Sequence, residues 1–193
     1  MYRYALVLLF FLVLTPHPLL AESEDEGENI EDSWNASTIM PEDFNHPDAP
    51  KFEQYKVPLA FTGKPVPVNL ESHPEAKTCG TMLRGANEKG PNFADHFTIA
   101  SWGCGSGCIA IAFVDATNGK VYFPENLRTN TTVNIHSDIM EKTLVFHRDS
   151  NLLIVAGCPN EECAARRGVN YFIWTGTGLK EIFRVPRDWY PEE

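Results

Sequence analysis

Beyond its first 21 residues the chain has no apolar run long enough to span a bilayer, which needs about 20 residues. Positive charge is scarce too. Sixteen Lys and Arg stand against 26 Asp and Glu, a net charge of −10. The one basic cluster, Arg166-Arg167, is too small for a phosphate-binding patch, which disfavours nucleic acid as a partner. No internal repeat recurs at a fixed period. No cysteine follows the expected cleavage site at residue 21, which argues against a lipid-anchored lipoprotein.

Residues 1–21 read as a secretory signal. Arg3 gives a positive start, an apolar core runs from Ala5 to Leu14, Pro16 and Pro18 break it, and Leu19-Leu20-Ala21 ends in a small residue before Glu22. The alternative is a short uncleaved anchor. With the signal removed, the expectation is an exported protein, periplasmic or secreted, with no membrane attachment.

Export decides how the five cysteines are read: Cys79, Cys104, Cys108, Cys158 and Cys163. In an oxidising compartment disulfides are the default. The odd count leaves at least one thiol over. Five choices of odd thiol remain, each with three pairings of the rest. Local pairing, Cys104–Cys108 and Cys158–Cys163, is the simplest expectation. Loops this short remove little chain entropy, so such bridges act as local clamps. Cys79 is then the free thiol.

Charge divides the chain. Losing Arg3 with the signal takes the net charge to −11, and seven acids within residues 22–32 leave −4 on the rest. That acidic run cannot bury enough apolar surface to order itself. It reads as a solvated spacer, or as a tail for a basic partner. Pro41, Pro47, Pro50, Pro58, Pro65 and Pro67 then mark a connector, extended and packing onto the domain over its second half. The expected organisation is a signal at 1–21, an acidic then Pro-rich disordered or extended segment at 22–54, and a single globular domain at 55–193.

One helix is signalled. Ser72 and Glu75 fit the capping-box pattern, Pro74 suits a first turn, and Ala76, Cys79, Met82, Leu83 and Ala86 share one helical face. Gly80 weakens this helix, and Gly90-Pro91 ends it. On this face Cys79 points into the core as a small hydrophobe. After residue 95, short runs rich in Ile, Val, Phe, Tyr and Trp alternate with turn residues every 8–12 positions. Asn118-Gly119 joins 109–115 to 120–123 as a hairpin. Residues 148–151 join 143–146 to 152–156, and residues 176–178 join 171–175 to 179–183. The fold class is therefore α+β: one helix, then an antiparallel β-meander that closes as a sandwich or partial barrel to manage its edges.

The stretch Trp102-Gly103-Cys104-Gly105-Ser106-Gly107-Cys108 supplies another hairpin loop. Its glycines give backbone freedom other residues lack. Two thiolates do not make a structural zinc site, which needs four ligands, and x3 and x4 spacings in an exported chain suit disulfides better. No metal or cofactor is expected. A catalytic Cys104 or Cys108 needs a base. His96 opens the same strand, over about 20 Å away, and His136 and His147 come near only through the fold. No catalytic residue is therefore assigned. Asp95 and His96 are adjacent, so in a strand they point to opposite faces and do not pair as a dyad unless the strand is bulged; Asp95 is expected in the loop after Pro91-Asn92-Phe93, with His96 opening the strand. The aromatic residues, Trp102 and Trp174 among them, read as sheet packing. Asn35-Ala36-Ser37 and Asn130-Thr131-Thr132 match the glycosylation pattern, which matters only in a eukaryotic host.

The block from Gly90 to Cys108, with Asn92-Phe93-Ala94-Asp95-His96 and the Trp102–Cys108 loop, resembles a family of uncharacterised bacterial exported proteins. The resemblance continues at Gly119-Lys120-Val121-Tyr122-Phe123-Pro124 and 149–155, ends at Tyr171-Phe172-Ile173-Trp174, and covers most of residues 73–183. It implies bacterial origin, export and one domain, and carries no activity. The leading expectation is a monomeric, non-catalytic binding module with a protein partner, basic in character, in the manner of a periplasmic inhibitor or immunity protein. Trp102, Gly103, Gly105, Ser106 and Gly107 form the expected contact loop. Two other readings stay open: a thiol-dependent hydrolase or redox enzyme using Cys104 or Cys108, and an envelope-structural or small-ligand-binding protein.

Overall fold

The structure, a computed structural model, describes residues 36–188. The expected signal and the acidic run 22–32 lie outside the described residues. Eight strands follow one another: β1 (Phe97–Gly105), β2 (Cys108–Asp115), β3 (Val121–Tyr122), β4 (Thr129–Thr131), β5 (Leu144–Phe146), β6 (Leu152–Pro159), β7 (Gly168–Trp174) and β8 (Leu179–Pro186). They form one sheet in the order β1-β2-β4-β6-β7-β8, with β3 also on β2 and β5 also on β6. Every strand pair is antiparallel.

Strand alternation divides the apolar side chains between cores. Phe97 and Ile99 of β1, Ile111 and Phe113 of β2, Leu153 and Val155 of β6, and Phe172 and Trp174 of β7 meet in one cluster. Both halves of the sheet therefore share this core. The Phe113 and Trp174 rings stack across it at 4.6 Å, 6° from parallel. The alternate residues of β1 and β2, Ala100, Ala112 and Val114, pack with Ala76 and Leu83. Those of β6 and β7, among them Leu152, Ile154 and Tyr171, pack with Ile39, Ile135 and Ile139.

Among the described residues the expected closure is not made: β1 and β8 end the path and do not pair with each other. The β1 edge is handled by a side chain instead. The carboxamide of Asn92 accepts from Ile99 N at 2.8 Å and donates to Ile99 O at 3.3 Å, as a neighbouring strand does. A covered edge removes the need for a closed one.

The helical region also departs from expectation. The long helix beginning at Ser72 is replaced by two 3-10 turns, Leu70–Ser72 and Pro74–Lys77, and a shorter α-helix, α1 (Gly80–Glu88). Ser72 caps nothing. Its hydroxyl donates to Asn69 O and accepts from Val121 N, tying the turn to β3. His73 is the cap of the second turn, and Glu75 reaches Arg128 rather than completing a box. Gly80 opens α1 instead of interrupting it, with Leu70 packed where a Cβ would stand.

Part of the segment expected to be an extended connector is built into the body. Residues Pro41–Asn45 and Phe52–Tyr55 form 3-10 turns. Ile39 is fully buried and bridges Ile135, and Asp43 is buried against Arg187. The strap runs on past Lys56, which bridges Ser150, to Val66, whose N–H donates to Ala116 O. Apolar residues scattered along the strap, Phe44, Phe52 and Tyr55, find one groove beside the β6–β7 face. Scatter along the sequence hid that shared destination.

Candidate functional site

The β1–β2 hairpin ends in the glycine-rich loop. Register breaks between Gly103 and Gly105, and Gly105 pairs Cys108. Cys104 and Cys108 are disulfide-bonded across this turn. Gly107 has φ +64, and a Cβ there would stand 2.7 Å from Val133 Cγ1. Both conformation and space demand glycine at this position. Gly103, Cys104, Gly105 and Ser106 are exposed, and Trp102, Gly107 and Cys108 are half-buried. Trp102 packs against the α1-side core, so the loop is anchored at its base and open at its tip.

Cys158 and Cys163 form the second disulfide. It closes the loop between β6 and a single helical turn, α2 (Cys163–Arg166). Strand β4 brings the two disulfides together. Thr131 pairs with Cys108 on one side and Cys158 on the other, so all three residues occupy one row of the sheet. Thr132 N–H donates to Gly107 O at 2.7 Å, and the Glu161 carboxylate lies 3.8 Å from Cys108 Sγ. One end of the sheet therefore carries two adjoining disulfide-closed loops, with the exposed Glu161 beside Cys108 and the exposed Glu162 next to it in the chain. Sequence reasoning missed the juxtaposition, because Thr129-Asn130-Thr131 has no apolar residue to signal a strand.

Cys79 is the free cysteine. It stands at the N-cap of α1 rather than within a helix, is half-buried, and donates its thiol hydrogen to Glu75 O at 3.3 Å. Burial, then the Glu75 charge, push its thiol up against the opposing pull of a backbone hydrogen bond.

His136 and His147 are engaged elsewhere. His136 Nδ1 accepts from Asp138 N at the start of the 3-10 turn Ser137–Lys142, and His147 stacks on Phe52 at 4.0 Å. No hydrogen bond joins a histidine to Cys104 or Cys108 among the described residues. Nor do three or more His, Cys, Asp or Glu gather as a metal-holding group among them.

Asp95 and His96 correct the expectation drawn from strand alternation. They do meet: Asp95 Oδ2 lies 3.3 Å from His96 Nδ1, and His96 Nε2 lies 4.0 Å from Asp115 Oδ1. The reason is local. Ala94 and Asp95 have φ of +41 and +70, so the chain turns before β1 begins and alternation does not apply. The site serves the strap. Asp95 Oδ1 accepts from Ala60 N at 2.8 Å and Phe61 N at 3.0 Å, and Arg148 donates to the carbonyls of Asp95 and Phe61. Burial opposes the Asp95 charge, but the two amides and His96 outweigh it and hold the carboxyl below its usual value. Asp115 is occupied by Thr117 and Asn118 of its own turn.

The sequon at Asn130 is closed off. That side chain is fully buried and donates to Ala156 O at 2.8 Å.

No family model, curated protein or solved structure matches the chain.

Proposed function

We propose that this is an exported bacterial protein that acts as a non-catalytic binding module, and that its disulfide-closed end is the surface a partner protein meets. The observation that carries the reading is the junction at Thr131, where the loops of Cys104–Cys108 and Cys158–Cys163 lie side by side. A surface held rigid before binding loses less conformational freedom when a partner docks. Two disulfides and the absence, among the described residues, of any helix long and apolar enough to cross a membrane are compatible with export. The acidic balance, with Glu161 and Glu162 at the loops, favours rapid encounter with a basic partner. The parallel with inhibitors and immunity proteins is one of design, not of motif.

Pulldown from envelope extract with the full chain should return a stoichiometric protein partner. A Ser106→Arg substitution places bulk and positive charge on the exposed tip and should abolish that capture while leaving the fold intact. Failure to recover any partner across several salt concentrations, or undiminished capture by the Ser106→Arg chain, would count against this surface.

A further inference from the structure

The two disulfides stand in opposite surroundings. Cys104–Cys108 closes a loop whose left-handed positions fall on glycines, and its neighbouring charge is the Glu161 carboxylate, 3.8 Å from Cys108 Sγ. A thiolate released at Cys108 would face that negative charge. Cys158–Cys163 is the reverse. Cys158 is fully buried, and the buried guanidinium of Arg167 donates to its sulfur through Nη1 at 3.6 Å. The other nitrogens of Arg167 are directed at carbonyls: Nε donates to Ser37 O at 2.7 Å, and Nη2 to Val133 O and Asn134 O. The positive charge is thereby fixed in place, facing the sulfur.

Access and strain point the same way. Cys163 is half-buried at the surface, whereas Cys158 has no exposure, so a solute meets the Cys163 sulfur first. Within the loop, Asn160 and Glu161 hold consecutive φ values of +55 and +64. For Glu161 that conformation is costly, a strain that lies within the bridged loop. Glu161 and Glu162 are the acids of this loop, and Glu162 pairs with Arg166, which Glu181 also holds.

We infer that the Cys158–Cys163 disulfide is a thiol-exchange site, which takes a small external thiol at Cys163 and releases Cys158 as a thiolate held by Arg167. In the first step the thiolate of the external thiol forms a bond to Cys163 Sγ. The electron pair of the Cys158–Cys163 bond leaves on Cys158, so one disulfide is exchanged for one mixed disulfide. In the second step another external thiolate attacks the small-molecule sulfur and expels Cys163. Two external thiols are then oxidised to one disulfide, and two electrons have passed to the protein. Each external thiol gives up one proton, and Cys163 takes one back. Exchange runs faster, and the reduced form is favoured, when the leaving sulfur is stabilised as thiolate.

The test uses the oxidised full chain in a series of reduced-to-oxidised glutathione ratios, quenched with acid and read by peptide mass spectrometry. Cys158–Cys163 should open at a ratio about tenfold less reducing than Cys104–Cys108, with the glutathione adduct on Cys163. Simultaneous opening, earlier opening of Cys104–Cys108, or an adduct on Cys158 would overturn the assignment. A Cys79→Ser, Cys163→Ser chain leaves Cys158 as the one free thiol, and its thiolate absorbance at 240 nm should appear below the ordinary thiol value of about 8.5. Appearance at or above that value would overturn the role of Arg167. Adding Arg167→Gln should raise the midpoint in a folded chain. Where circular dichroism shows that variant unfolded, the Cys158 midpoint in the Cys79→Ser, Cys163→Ser chain decides the question alone.

Discussion

Arg187 grips Asp43 with both arms of its guanidinium: Nε to Oδ2 and Nη2 to Oδ1, each at 2.8 Å. The residues lie 144 positions apart. Asp43 also accepts from Met40 N at 2.9 Å, so one buried carboxylate fixes a turn of the strap and anchors it to the segment just past β8. Forked, charge-assisted pairs of this kind are stronger than neutral hydrogen bonds.

Asp43→Ala should therefore cost about 2 kcal/mol, by stranding the Met40 amide and the partly buried guanidinium. Urea denaturation followed by tryptophan fluorescence would measure it. A loss below about 0.5 kcal/mol, the size expected of an ordinary surface change, would mean the strap is held by Ile39 and its apolar neighbours alone.

The loop glycines should separate by position. Gly107→Ala meets Val133 and an unfavourable φ, and should destabilise by about 1–2 kcal/mol. Gly103 has open space around it, and Gly103→Ala should stay within about 0.5 kcal/mol. Equal costs at the two sites would show that the Gly107–Val133 contact does not constrain the tip.

Acid should loosen the strap at Asp95. Its carboxyl titrates lower in the folded protein than in the unfolded chain. The stabilisation it gives is complete above the unfolded value, about 4, and is lost as pH falls through the lower folded value. Amide hydrogen exchange at Ala60 and Phe61 should therefore accelerate, relative to the sheet, once the pH drops below about 4. In Asp95→Asn that acid-dependent change should vanish.

Alkali should act through Tyr171. Burial, then the nearby Asp43 charge, push its hydroxyl up to about 12. Its neutral form is favoured in the fold, so the stability it gives is whole below about 10, the unfolded value, and is lost as pH rises toward about 12. Ultraviolet titration of the folded chain should show a late tyrosine ionisation near pH 12, and Tyr171→Phe should remove that step.

Much of the strand content was legible because strands that face a core on each side carry apolar residues in unbroken runs. Residues of β2 and β6 show this, as Ile111 and Phe113 enter one core while Ala112 and Val114 enter another. The turn at Asn118-Gly119 was legible because its chemistry is local, with Gly119 at φ +75. Strand β4 was not, since its place depends on partners at Cys108 and Cys158 rather than on its own side chains. The start of α1 was misplaced because the Ser72 hydroxyl is taken by Asn69 O and Val121 N instead of capping a helix.

Composition, signal pattern and cysteine count are properties of the chain itself, so the sequence alone could set the expectations of export, acidity and an antiparallel sheet. Tertiary structure decided what those parts do to one another. It brought Arg167 to Cys158, set the two disulfide loops on either side of Thr131, and turned Asp95 toward His96. Each of these depends on how separate segments pack together or on a local positive φ, and neither is written in spacing or periodicity.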